Sequence, residues 1–60
     1  MGTIVAIRRL AASPSSGVEF VVREDDGATV VVVQPNTDGL GVGERVAFLE
    51  GRRTRIARAP

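Results

Sequence analysis

The stretch from Val18 to Gln34, VEFVVREDDGATVVVVQ, constrains this chain more than any other, because two β-rich runs flank Asp25-Asp26-Gly27. An Asp-Gly step between such runs is the strongest short-range hairpin signal, since glycine accepts the positive φ that tight turns require. Asp25, Asp26 and Gly27 are therefore read as a hairpin turn. Before it, Val18, Phe20 and Val22 alternate with Glu19, Val21 and Arg23, the period of a half-buried strand over residues 18–24. After it, residues 28–34 form the next strand. Four consecutive valines imply that both of its faces are at least partly covered, so it is expected to be central in a curled sheet. Uncovered, the same run would be an aggregation segment with Asp26 and Pro35 as the nearest gatekeepers. The register stays open: a two-residue turn sets Phe20 opposite Val33, and a three-residue turn with a bulge sets it opposite Val32.

The rest of the chain extends this pattern. Residues 3–10, TIVAIRRL, are rich in β-branched residues and follow a glycine, which predicts a first strand. Residues 11–17, AASPSSG, read as a linker or splice. Pro35 to Gly43 stops pairing and is read as a structured loop with Leu40 and Val42 tucked under the barrel as a plug. Strands over 45–49 and 53–57, joined by a turn at 50–52, complete the set. Five short strands without a helical period predict a single all-β domain, a small five-stranded barrel of SH3-like or OB-like type. In a chain of 60 residues, which buries only about 60% of its unfolded surface, Phe20 and Phe48 are the only aromatic residues. Both are expected in the core.

Composition narrows the chemistry. Cysteine, histidine, lysine, tryptophan and tyrosine are all absent, which removes thiolate nucleophiles, imidazole bases and the usual zinc and haem ligands. The chain is expected to be no enzyme and to hold no cofactor or metal. The adjacent carboxylates of Asp25 and Asp26 are read as turn chemistry. The glycines at 39, 41 and 43 lack the following helix that phosphate-binding fingerprints need. The formal net charge is only +1, but it is unevenly spread: acids dominate Glu19–Asp26 and arginines dominate Arg52–Arg58. If strands one and five meet, Arg8 and Arg9 join Arg52, Arg53, Arg55 and Arg58 in one candidate interaction surface. An anionic surface such as lipid headgroups, or the acids of a neighbouring copy in a homo-oligomer, fits it best. Nucleic acid is not the expected partner, because the interleaved residues offer no stacking platform. No apolar run approaches the ~18 residues of a membrane span, and Met1-Gly2 leads into a strand with no secretory leader, so the chain alone is expected to be soluble.

Gly2–Leu10, Gly17–Gln34 and Val42–Ile56 together resemble the β-rich part of the SlyB/Pcp-type glycine-zipper outer-membrane lipoproteins, over about three quarters of the chain. The resemblance rests on Arg23-Glu24-Asp25-Asp26-Gly27-Ala28-Thr29, on Val32-Val33-Gln34 and on Gly43-Glu44-Arg45-Val46, in that order. Two features of that family are missing: the lipid-bearing cysteine, and the glycine-zipper hairpin, in whose place AASPSSG stands. The resemblance implies a bacterial, non-catalytic structural β domain at the periplasmic face of the outer membrane. Its implied role is envelope integrity, through self-association and contact with membrane proteins or lipids. A free-standing oxyanion-binding module of TOBE/Mop type, whose GxV…GxxV pattern is similar, is the alternative, followed by a cytoplasmic nucleic-acid-binding barrel.

Overall fold

A computed structural model describes residues 1–9 and 17–60. It consists of five antiparallel strands in one sheet: β1 (Gly2–Arg9), β2 (Val18–Glu24), β3 (Thr29–Gln34), β4 (Arg45–Leu49) and β5 (Arg55–Arg58). No helix occurs among the described residues. The expected strands are present with end shifts, the largest being β5, which starts at Arg55 and not at 53 because residues 51–53 bend first. Most of the expected linker, with Leu10, lies outside the described residues. Gly17, its last residue, is buried, and a Cβ there would sit 3.1 Å from the carbonyl carbon of Gln34.

The strand order is β3-β2-β1-β4-β5. The β2–β3 hairpin takes the three-residue turn, setting Phe20 opposite Val32, with Gly27 at φ 98° and its N–H donating to the Glu24 carbonyl at 2.9 Å. β1 pairs with β2 on one side and, through Gly2 and Thr3, with β4 on the other. A register shift between Ile4 and Ala6 marks a bulge at Val5. The extra residue moves the inward positions from Gly2 and Ile4 to Ile7, and leaves Val5 exposed. Gly2 marks a close approach: a Cβ there would lie 2.7 Å from Val22 Cγ1 and 2.8 Å from the Arg23 carbonyl oxygen.

Alternation places Ile4, Phe20, Val22, Val32, Val46 and Ile56 in one apolar core, with Leu40 from the β3–β4 loop. Ile7, Val18, Val30 and Phe48 pack around it. Three expectations need correction. Phe48 is only half-buried, since the short β5 covers one side of it. Val42 is 64% exposed and does not share the plug with Leu40. The Asn36 side chain pins Leu40 inward, accepting from its N–H at 2.7 Å and donating to its carbonyl at 3.0 Å. Finally, β3 is an edge strand and not a central one. Val30 and Val32 face the core, while Val31 and Val33 are 55% and 48% exposed.

This division of the loop is testable. Leu40→Ala should cost ~2–5 kcal/mol, the range for truncating a buried leucine, and Val42→Ala should change stability by less than ~0.5 kcal/mol. Equilibrium urea unfolding of the two variants checks both.

Candidate functional site

The two edges of the sheet, β3 and β5, approach each other without a backbone ladder between them. A side chain bridges them. Gln34 lies at the inward parity of Val30 and Val32 and is 7% exposed. Its Oε1 accepts the Ile56 N–H at 2.8 Å, and its Nε2 donates to the Ile56 carbonyl at 3.0 Å. The amide thus gives Ile56 what a neighbouring strand would give, one acceptor and one donor. Beside this bridge lies an open cleft of about 210 Å³, lined by Val33, Gln34, Pro35, Arg53 and Arg55.

The six arginines of the expected surface do not form one patch. Strands β1 and β5 are separated by β4, which removes the juxtaposition on which that surface depended. Arg8 and Arg9 stand opposite Glu19 and Val18 on β2, while Arg53 and Arg55 line the cleft. Arg52 is exposed in the β4–β5 turn. Arg58 is engaged elsewhere: its guanidinium meets Glu44 at 2.8 Å and donates to the Asp38 carbonyl at 3.1 Å. Register nevertheless relates the first two groups, since Glu19 faces Arg8 on one side and the cleft residue Val33 on the other.

At the hairpin turn the two aspartates differ. Asp25 receives a two-pronged bond from Arg45 at 2.6 and 2.8 Å, and Arg45 also donates to Thr3 Oγ1 at 3.1 Å. Asp26 accepts only from the Ala28 N–H, at 2.9 Å, a local turn bond. The Arg45 bond holds the Asp25 carboxyl below its ordinary pKa, and the Arg45 charge adds to it. The Glu44 carboxyl is lowered too, first by the Arg58 hydrogen bond and then by the Gly41 N–H at 2.6 Å. Arg45 and Arg58 are raised correspondingly by their partners. Among the described residues no ion pair involves Arg8, Arg9, Arg52, Arg53 or Arg55, all of which are exposed.

Nothing matches this chain in comparisons with protein-family models, curated proteins or solved structures.

The bridging role of Gln34 is not among the sequence expectations, although the sequence carries a signal for it. A polar residue closing a valine run at the inward parity must find hydrogen-bond partners or face solvent.

Gln34→Leu should cost ~1–3 kcal/mol, because the Ile56 amide and carbonyl lose their partners. Gln34→Glu should be worse at neutral pH than in acid. The ionised carboxylate faces the Ile56 carbonyl without a donor, whereas the protonated acid regains one, so its deficit relative to the parent should shrink as pH falls. Thermal melts of parent and variants at matched pH read this directly. In the parent itself, both depressed carboxyls contribute stability that is complete above the ordinary carboxylate range of about 4 and is lost as pH falls through their folded-state values. Stability should be flat from neutral pH to about 5 and decline below about 4. Asp25→Asn should flatten that decline in an acid titration followed by circular dichroism.

Proposed function

We propose that this chain is a non-catalytic interaction domain, the β domain of a glycine-zipper outer-membrane lipoprotein. It acts at the periplasmic face in envelope integrity through self-association and contact with membrane proteins or anionic lipid headgroups. The observation that carries the reading is the division of the charges. Asp25 and Glu44 are neutralised within the chain by Arg45 and Arg58, while Arg8, Arg9, Arg23, Arg52, Arg53 and Arg55 are exposed and, among the described residues, in no ion pair. Guanidinium groups of that kind suit phosphate-bearing surfaces, because they offer planar, forked donors and keep their charge.

The fold we infer is a small barrel of OB-like order. It is supported by β1 pairing with both β2 and β4 while Gln34 bridges β3 to β5. SH3-like barrels instead set the first and last strands side by side. OB-like barrels bind oligonucleotides on the outer face of the second and third strands. Here the outward positions of that face are Glu19, Val21, Arg23, Thr29, Val31 and Val33, with no ring on which a base could stack. That face speaks for a non-nucleic-acid partner.

Vesicle co-sedimentation tests the lipid contact. At low salt the domain should pellet with phosphatidylglycerol vesicles and not with phosphatidylcholine vesicles, and the binding should fade as salt rises. Each arginine near an anionic surface is worth about 1 kcal/mol, so Arg8→Glu, Arg9→Glu and Arg52→Glu combined should weaken binding roughly 100-fold. Equal binding to both vesicles, or an unaffected triple variant, would remove the lipid contact from the reading.

A further inference from the structure

The Glu24 N–H donates to the Ala28 carbonyl at 2.7 Å, and this bond sets the polarity of every residue that follows in β3. In an antiparallel ladder, pairs that exchange hydrogen bonds alternate with pairs that do not. Glu24–Ala28 is a bonded pair, so Val22–Val30, Phe20–Val32 and Val18–Gln34 are bonded pairs as well. Ala28, Val30, Val32 and Gln34 therefore direct their backbone groups at β2. Thr29, Val31 and Val33 direct theirs away from it, towards the edge. Among the described residues no backbone or side-chain bond reaches those three. Among the described residues the hydrogen bonds between β5 and β3 are those of the Gln34 side chain, so the bridge seals the end of the strand and leaves the edge groups of the remainder open.

We infer that this open edge pairs with the same edge of a second copy of the chain, β3 against β3 in antiparallel sense, with Val31 opposite Val31. The inference rests on the reading that the domain self-associates, and it names the surface that does so. Three features select a second copy. First, Thr29 to Gln34 carries no charge, whereas edges that avoid pairing usually carry lysine, proline or an inward charge. Second, the two-fold arrangement suits the hydrogen-bond parity. Val31 meets Val31, Thr29 meets Val33 and Val33 meets Thr29, so each pair joins residues whose backbone groups face the edge. Exposed valines then lie across from valine or threonine on the outer face. Third, the charges at the two ends of the strand are complementary. Thr29 of the second copy stands opposite Val33, which brings that copy's hairpin turn and its unpaired Asp26 up to the cleft lined by Arg53 and Arg55. Two-fold symmetry repeats the contact at the other end. Asp25, held by Arg45, stays out of it.

Sedimentation equilibrium with hydrogen exchange on the full chain tests this. Self-association should appear at high protein concentration and weaken with salt. The amides of Thr29, Val31 and Val33 should exchange fast in dilute solution and become protected as concentration rises. Val31→Pro removes an N–H that β2 does not use, so the domain should stay folded while self-association weakens about tenfold or more. If proline disturbs the fold, Val31→Lys serves the same purpose from the exposed face. Asp26→Arg should weaken the dimer, and adding Arg53→Asp and Arg55→Asp should restore it. A dimer that ignores Val31→Pro and Val31→Lys, edge amides that stay unprotected as it forms, or a strictly monomeric chain would each overturn the inference. Vesicle binding by Val31→Pro, which leaves the net charge unchanged, should match the parent. A parent chain that does not bind anionic vesicles would count against the lipid contact and leave the edge pairing standing.

Discussion

One side-chain amide, that of Gln34, holds together the two edges of a sheet that would otherwise end in open strands. With no second layer among the described residues to cover its apolar face, the five-stranded sheet buries that face by curling, and curling brings β3 and β5 together. The Gln34 amide offers one donor and one acceptor in a plane, which is what the backbone of a paired strand offers. Ile56, itself a core residue at 2% exposure, takes both. A hydrophobic residue at Gln34 would fill the same volume yet strand two backbone groups in a nearly dry seam, where each unpaired group is expensive. Gly17 belongs to the same arrangement, because its lack of a side chain lets β2 begin against the Gln34 carbonyl.

A bridge made by one side chain has limited reach. A backbone ladder would have satisfied β3 along its whole length, but the amide satisfies only Ile56 and leaves the edge groups of Thr29, Val31 and Val33 facing outward. The same geometry separates the arginines. With β4 between β1 and β5, the basic residues of the two strands flank different neighbours. Arg45 and Arg58 are drawn into intramolecular pairs with Asp25 and Glu44, and Arg53 and Arg55 are left beside the seam.

Local features of the chain were legible in its sequence. The Asp25-Asp26-Gly27 turn, the alternation of Val18, Phe20 and Val22, and the existence of all five strands follow from turn chemistry and period alone, which act over a few residues. Strand order was not legible, because it depends on which edges meet after the sheet curls. The single patch expected of Arg8, Arg9, Arg52, Arg53, Arg55 and Arg58 depended on β1 lying beside β5, and β4 separates them; the pairing of Arg58 with Glu44, 14 residues away, has no local signal either. The bulge at Val5 was hidden too. TIVAIRRL contains apolar residues at both parities, so nothing in it marks where the inward face changes. Continuous apolar character suggests cover on both faces, yet β3 turns Val32 fully and Val30 partly into the core and exposes Val31 and Val33 at the rim of the sheet.

That exposure bears on how so small a domain recognises anything. Its two aromatic side chains pack with the core, Phe20 fully and Phe48 in part, so no ring remains on the outer face of β2 and β3 to anchor a ligand by stacking. Recognition must draw on what is left, which is backbone hydrogen-bonding capacity along β3 and guanidinium groups around it. These are complementary devices. Backbone edges bind other extended chains with little regard to sequence, and their register is set by side chains on alternate positions. Charges at the ends of the strand then discriminate among partners that the edge alone would accept. An uncharged valine edge framed by an acidic turn and a basic cleft is therefore best matched by a strand that carries the same two ends in reverse order, as an antiparallel copy of itself does.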